Sequence, residues 1–192
     1  RVGGNPTTVG VYETWNDFTP GSVILPNDVY IVAHSNSDAF IINQADMTSQ
    51  LLSNGDDGLA LVHGDEPLTP THPDSGLYTI LDWIGDWNGD PGTGWDVAGI
   101  TAGTANHTLV RKCEVMMGDT SWTNAAGTDP TNSQWVVFGN ENWNYLGSHS
   151  NSTIYSSTFD TICGGLSITV NGNVYDSSGV YVDTLISQLG CD

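Results

Sequence analysis

The chain has 192 residues, with 3 basic side chains against 22 acidic ones and a formal net charge of −19. That length is enough for a buried core in one domain, or one domain plus a small module, and seven Trp, seven Tyr and four Phe exclude a disordered chain. Three cations cannot cover a phosphate backbone, which excludes nucleic acid as a partner, and no run of about 18 apolar residues is present to insert in a membrane.

In chain order, short strands are expected at residues 9–12 and 23–25, a turn at Pro26, Asn27 and Asp28, and a buried strand at 29–33. Residues 37–47 read as the best helix, with Ser37 as its cap and Phe40, Ile41 and Ala45 on its apolar face. A turn at 54–58 leads into a strand at 59–63, and the three prolines of 65–75 mark an exposed loop. Further strands are expected at 78–84, 108–112 and 135–138, with a long Gly-rich loop at 85–103. Beyond a composition shift near Asn151, residues 166–170, Asn171-Gly172 and Val174-Tyr175 read as a hairpin, and 180–186 as a last strand. This places two units, 1–155 and 156–192. With 23 Gly and few Lys, Glu or Arg to build amphipathic helices, the fold class is all-β with long Gly/Asp-rich loops and one short helix.

Three stretches carry a resemblance. They are Leu25-Pro26-Asn27-Asp28-Val29-Tyr30-Ile31-Val32-Ala33-His34-Ser35, then Asn54-Gly55-Asp56-Asp57-Gly58-Leu59-Ala60-Leu61-Val62, then Asn106-His107-Thr108-Leu109-Val110-Arg111-Lys112 followed by Trp135 and Leu146-Gly147-Ser148-His149. In their order and spacing, over residues 9–149, they resemble the bacterial lamin-tail domain, with Asn27 where that family usually has Gly. The resemblance implies an immunoglobulin-like β-sandwich. The tail, with Cys163, Val170-Asn171-Gly172, Tyr175, Ser178-Gly179-Val180-Tyr181 and Gly190-Cys191-Asp192, resembles a Cys-bounded repeat of secreted Bacteroidetes-type surface proteins. That second resemblance implies a C-terminal β-hairpin module and a disulfide between Cys163 and Cys191, with Cys113 left as a buried thiol or an intersubunit link. A disulfide and a lysine-poor surface fit an extracellular protein, whose export signal would already have been removed.

Both resemblances lack a strand, one at the start and one at the end. The expectation is a sandwich completed by a strand from a neighbouring copy, with residues 1–12 and the tail strands of 166–186 as the participants, which would build a head-to-tail polymer; the rival is a piece cut from a longer protein.

Four oxygen-bearing residues, Asp82, Asp86, Asn88 and Asp90, alternate in a Gly-rich loop, a spacing suited to Ca2+ as a candidate cofactor. Asp56 and Asp57 are adjacent, so in a strand they would face opposite sides and not form a catalytic pair. The five histidines are scattered, and no Gly-x-Ser-x-Gly elbow accompanies His34-Ser35 or Ser148-His149; structural roles are expected for them. Trp83 and Trp135 lie in strands and should be core. Trp87, Trp95, Trp122 and Trp143 lie in polar loops, where they could stack on sugars or on another subunit.

The function expected from all this is a non-enzymatic extracellular structural protein, the subunit of a filament or surface fibre whose partners are other copies of itself. The alternative is an accessory module that binds carbohydrate or a cell surface, with surface glycans as partner.

Overall fold

The computed structural model describes residues 1–26, 28–52, 54–149, 161, 163, 165–170 and 172–181. Along them run β1 (Val32–His34), α1 (Ala39–Ile42), β2 (Met47–Ser49), β3 (Leu59–Gly64), β4 (Tyr78–Ile84), β5 (Thr108–Arg111), α2 (Trp122–Ala126), β6 (Trp135–Phe138), β7 (Ile168–Val170) and β8 (Asn173–Tyr175). A 3-10 turn at Pro73–Ser75 lies between β3 and β4. The protein is therefore β-rich with very little helix, in the class that its composition indicates. The strands pair two by two into four sheets: β1 with β2 in parallel, and β3 with β4, β5 with β6 and β7 with β8 antiparallel.

The longest ladder, β3–β4, has one face in the core. Tyr78 and Ile80 are buried while Thr79 and Leu81 are exposed, the period-two alternation of a half-buried strand. Leu61 sits opposite Asp82 and Val62 opposite Ile80, so Leu81 is the additional residue of a bulge. Two apolar clusters flank this ladder. Val2, Tyr12, Tyr78, Ile80 and Trp87 form one, and Val97, Ala98, Trp122, Ala125, Ala126 and Trp135 the other. Trp83 packs against both, so β4 joins them.

Several expected elements are corrected. Residues 9–12 and 23–25 form no strand, because no ladder forms with them among the described residues. The strand expected at 29–33 is confined to Val32–His34. The helix expected over 37–47 is a single turn, capped by the Asp38 carboxylate, which accepts from the Phe40 amide at 2.9 Å, and not by Ser37. It ends early because Asp46 is drawn to β1: its carboxylate accepts from the Ile31 amide at 2.8 Å and its own amide donates to the Ile31 carbonyl at 2.9 Å. Met47 then enters the parallel ladder with Val32. Tertiary pairing here overrides local helix propensity.

The unexpected helix is α2. The Ser121 hydroxyl accepts from the Asn124 amide, and Trp122, Ala125 and Ala126 are buried at the i, i+3, i+4 spacing of one helical face. The hairpin β7–β8 forms where expected. Val180 and Tyr181 lie outside any strand; the remainder of the last expected strand, and the boundary near residue 155, lie outside the described residues.

Candidate functional site

The N-terminal segment forms a strap. Val2 and Gly58 exchange backbone hydrogen bonds at 2.8 and 2.9 Å, and the Arg1 guanidinium grips the buried Asp57 carboxylate through both Nε and Nη2 at 2.9–3.0 Å. The Gly3 and Thr7 amides donate to the Glu13 carboxylate at 2.6 and 2.9 Å. Burial acts to raise the pKa of Glu13, but those hydrogen bonds and the Arg1 charge outweigh it and hold the carboxyl below its usual range. Farther on, the Gly10 amide donates to the Trp87 carbonyl at 2.7 Å. Residues 1–12, expected to be exchanged between copies, are thus bound within their own chain. Asp57, expected only as part of a turn, is the anchor.

The four loop tryptophans separate into two groups. Trp87 is 2% exposed and Trp122 5%; the Trp87 indole donates to the Gly58 carbonyl at 3.2 Å. Trp95 is half-buried and its indole donates to the Asp57 carbonyl at 3.3 Å. These three close the core of their own chain, which corrects their expected role as interface residues. The polar loops misled the reading because they fold back over the sheets, and the indoles meet buried backbone carbonyls there. Trp143 alone of the four remains exposed, at 44%. Beside it, Phe40, Asn140, Glu141, Asn142 and Asn144 line an open groove of about 640 Å³. Sequence reasoning identified Trp143 but missed the rest, although Asn140-Glu141-Asn142-Trp143-Asn144 is a run of amides around an indole.

The candidate Ca2+ residues do not come together as ligands. The Asp82 carboxylate pairs with Arg111 at 2.5 Å and also accepts from the Trp83 and Asp119 amides. The Asp86 carboxylate accepts from the Asn88 amide and that of Asp90 from the Gly92 amide, each at 2.7 Å, as in Asx-turns. Among the described residues no three His, Cys, Asp or Glu side chains are grouped to hold a metal.

His34 and His72 accept from the Asn36 and Asp74 amides through Nδ1, and His107 Nδ1 lies 2.8 Å from the Ala105 carbonyl, so these three act as structural histidines. Cys163 is exposed with a free thiol, whereas Cys113 is buried and disulfide-bonded. Cys163 is thus not in the expected disulfide, and Cys113 is not a free thiol, which was one of its two expected states; Cys191 lies outside the described residues. Disulfides follow the approach of Cα atoms in space, and closeness along the chain is a poor guide to it.

What remains outward is a set of open strand edges. Among the described residues each strand is paired on one side only, and Leu61 on β3, Leu81 on β4 and Val174 on β8 are exposed. Val23, Ile24 and Leu25 run together, also exposed, and no hydrogen bond forms at the amides of Val23 and Ile24 among the described residues. No helix of the described residues is long and apolar enough to cross a membrane. No family model, curated protein or solved structure matches this chain.

Proposed function

We propose that the protein is a non-enzymatic, extracellular structural subunit that joins other copies of itself by strand complementation into a filament or surface fibre. In this reading the four small sheets are parts of one immunoglobulin-like β-sandwich of the lamin-tail kind, completed by strands of neighbouring copies. The observation that carries it is that, among the described residues, strands pair only two by two, with exposed apolar side chains on the strands so left open. A two-stranded sheet is marginal alone in water and gains stability from a third strand or a covering layer. Open edges, unless blocked, are templates for another chain. The cis-bound strap fits the same reading, because the Val2–Gly58 bridge is a contact that an exchanged segment would remake in trans at low cost.

Electron microscopy with mass determination tests this. The intact protein at high concentration should give regular filaments built of 20.4 kDa subunits. Lysine at Leu61 and Leu81 should abolish them without unfolding the subunit, since both side chains are exposed. Discrete single-subunit particles at every concentration would overturn the proposal.

A further inference from the structure

The groove beside Trp143 offers chemistry unlike that of the strand edges. One wall is Phe40 on α1 and the other is the loop that follows β6. That loop is fixed in place: the Asn142 amide donates to the Thr108 hydroxyl of β5 at 3.2 Å. Behind it, the Phe138 and Tyr145 rings stack with centroids 5.1 Å apart. Glu141 sits in the left-handed region at φ 59°, a strained conformation for a non-glycine residue and one that gathers at binding sites.

Three features of the lining decide the ligand class. The indole of Trp143 is partly uncovered while Trp87, Trp122 and Trp135 are buried, offering a flat apolar surface with a polar edge. The side-chain amides of Asn140 and Asn144 have no hydrogen-bond partner among the described residues, and Asn142 uses only its oxygen, which accepts from the Asn144 amide at 3.3 Å. Each free amide can both donate and accept, which suits hydroxyl groups. The one ionisable lining side chain is Glu141, and a chain of net charge −19 repels anions. A quaternary ammonium could sit between an indole and a carboxylate, but it would leave the amide N–H groups without acceptors.

We propose that this groove binds a neutral saccharide. The C–H face of a sugar ring stacks on Trp143, Phe40 borders the next ring, and Asn140, Asn144 and Glu141 take up the hydroxyls.

Calorimetric titration of the intact protein with chitotetraose, cellotetraose, xylotetraose and mannotetraose tests it, with tetragalacturonate and choline as charged comparisons. At least one neutral tetrasaccharide should bind saturably. Trp143→Ala should raise its Kd at least tenfold with the thermal midpoint unchanged, and Trp143→Phe, which keeps a ring, should fall between. The proposal is overturned if no neutral tetrasaccharide binds, if Trp143→Ala binds as tightly as the parent, or if a charged probe is the one that binds.

Discussion

All three cations of the chain are engaged internally. Arg1 holds Asp57, the Lys112 ammonium donates to the Pro130 carbonyl at 2.8 Å, and Arg111 holds Asp82 while lying 4.2 Å from the centroid of the Trp135 ring. The remaining polar atoms of Arg111, together with the indole N–H groups of Trp83 and Trp135, are buried without a partner among the described residues. Such groups each cost about 1–3 kcal/mol, so packing of the rings around them must offset that.

Tyr78 makes the burial measurable. Its hydroxyl donates to the Thr71 carbonyl at 2.8 Å, and burial, followed by the neighbouring Tyr12, pushes its pKa up to about 12. An unfolded phenol loses its proton near 10. Between those values the folded state holds the extra proton, so stability falls as pH rises above 10, by roughly 1.4 kcal/mol per pH unit for this group. Tyr12, also raised by burial and then by Glu66, adds to the effect. Tyr78→Phe should cost about 1 kcal/mol at pH 7 through the lost hydrogen bond, yet lose less than the parent on going from pH 10 to pH 11.5. Urea midpoints at those pH values decide it. An equal alkaline loss in both proteins would place the titration elsewhere.

Among the elements, β3 depends on what precedes it. Gly58 exchanges backbone bonds with Val2, and a Cβ there would lie 2.2 Å from the Asp86 carbonyl oxygen and 2.7 Å from the Trp87 ring. Neither the backbone nor a buried indole can yield cheaply, so Gly58→Ala should cost about 2–3 kcal/mol by overpacking. It should also speed hydrogen exchange at Val2, and unchanged exchange there would mean that the strap and β3 are not coupled. The contrast with sequence-derived expectations lies in what each signal reports. β4 and β6 were legible to the residue because alternation and a short apolar run are local signals. α1 was overestimated since its end is set by Asp46 reaching Ile31, and nothing in the local pattern reveals that. α2 is not expected from the sequence: the Ser121 cap and the Trp122, Ala125, Ala126 spacing are its only signals, and the surrounding Gly, Thr and Asp obscure them. In the candidate site, Trp143 was legible as a loop aromatic, and Phe40 was not, because it comes from a helix about a hundred positions earlier.

At the scale of the whole molecule, the charge and the open edges act against each other. With Arg1, Arg111 and Lys112 bound to their own chain, a net charge of −19 faces outward with no cation free to pair with a neighbour. In the proposed assembly, copies meeting edge to edge would gain backbone hydrogen bonds and cover residues such as Leu61, Leu81 and Ile24, while their acidic surfaces would repel. The apolar gain is contact-range and changes little with ordinary salt. The repulsion reaches roughly 30 Å at 0.01 M ionic strength and only about 3 Å at 1 M. Raising NaCl from 10 mM to 500 mM should therefore promote association, seen as a rise in sedimentation coefficient and in filament length. The Leu61→Lys, Leu81→Lys variant should stay unassociated across that range, because the apolar contact is lost and an ammonium group would have to be desolvated at the seam. Dissociation of the parent on adding salt would mean that ionic contacts hold the copies together, and the apolar strand edges would then lose their place as the joining surface.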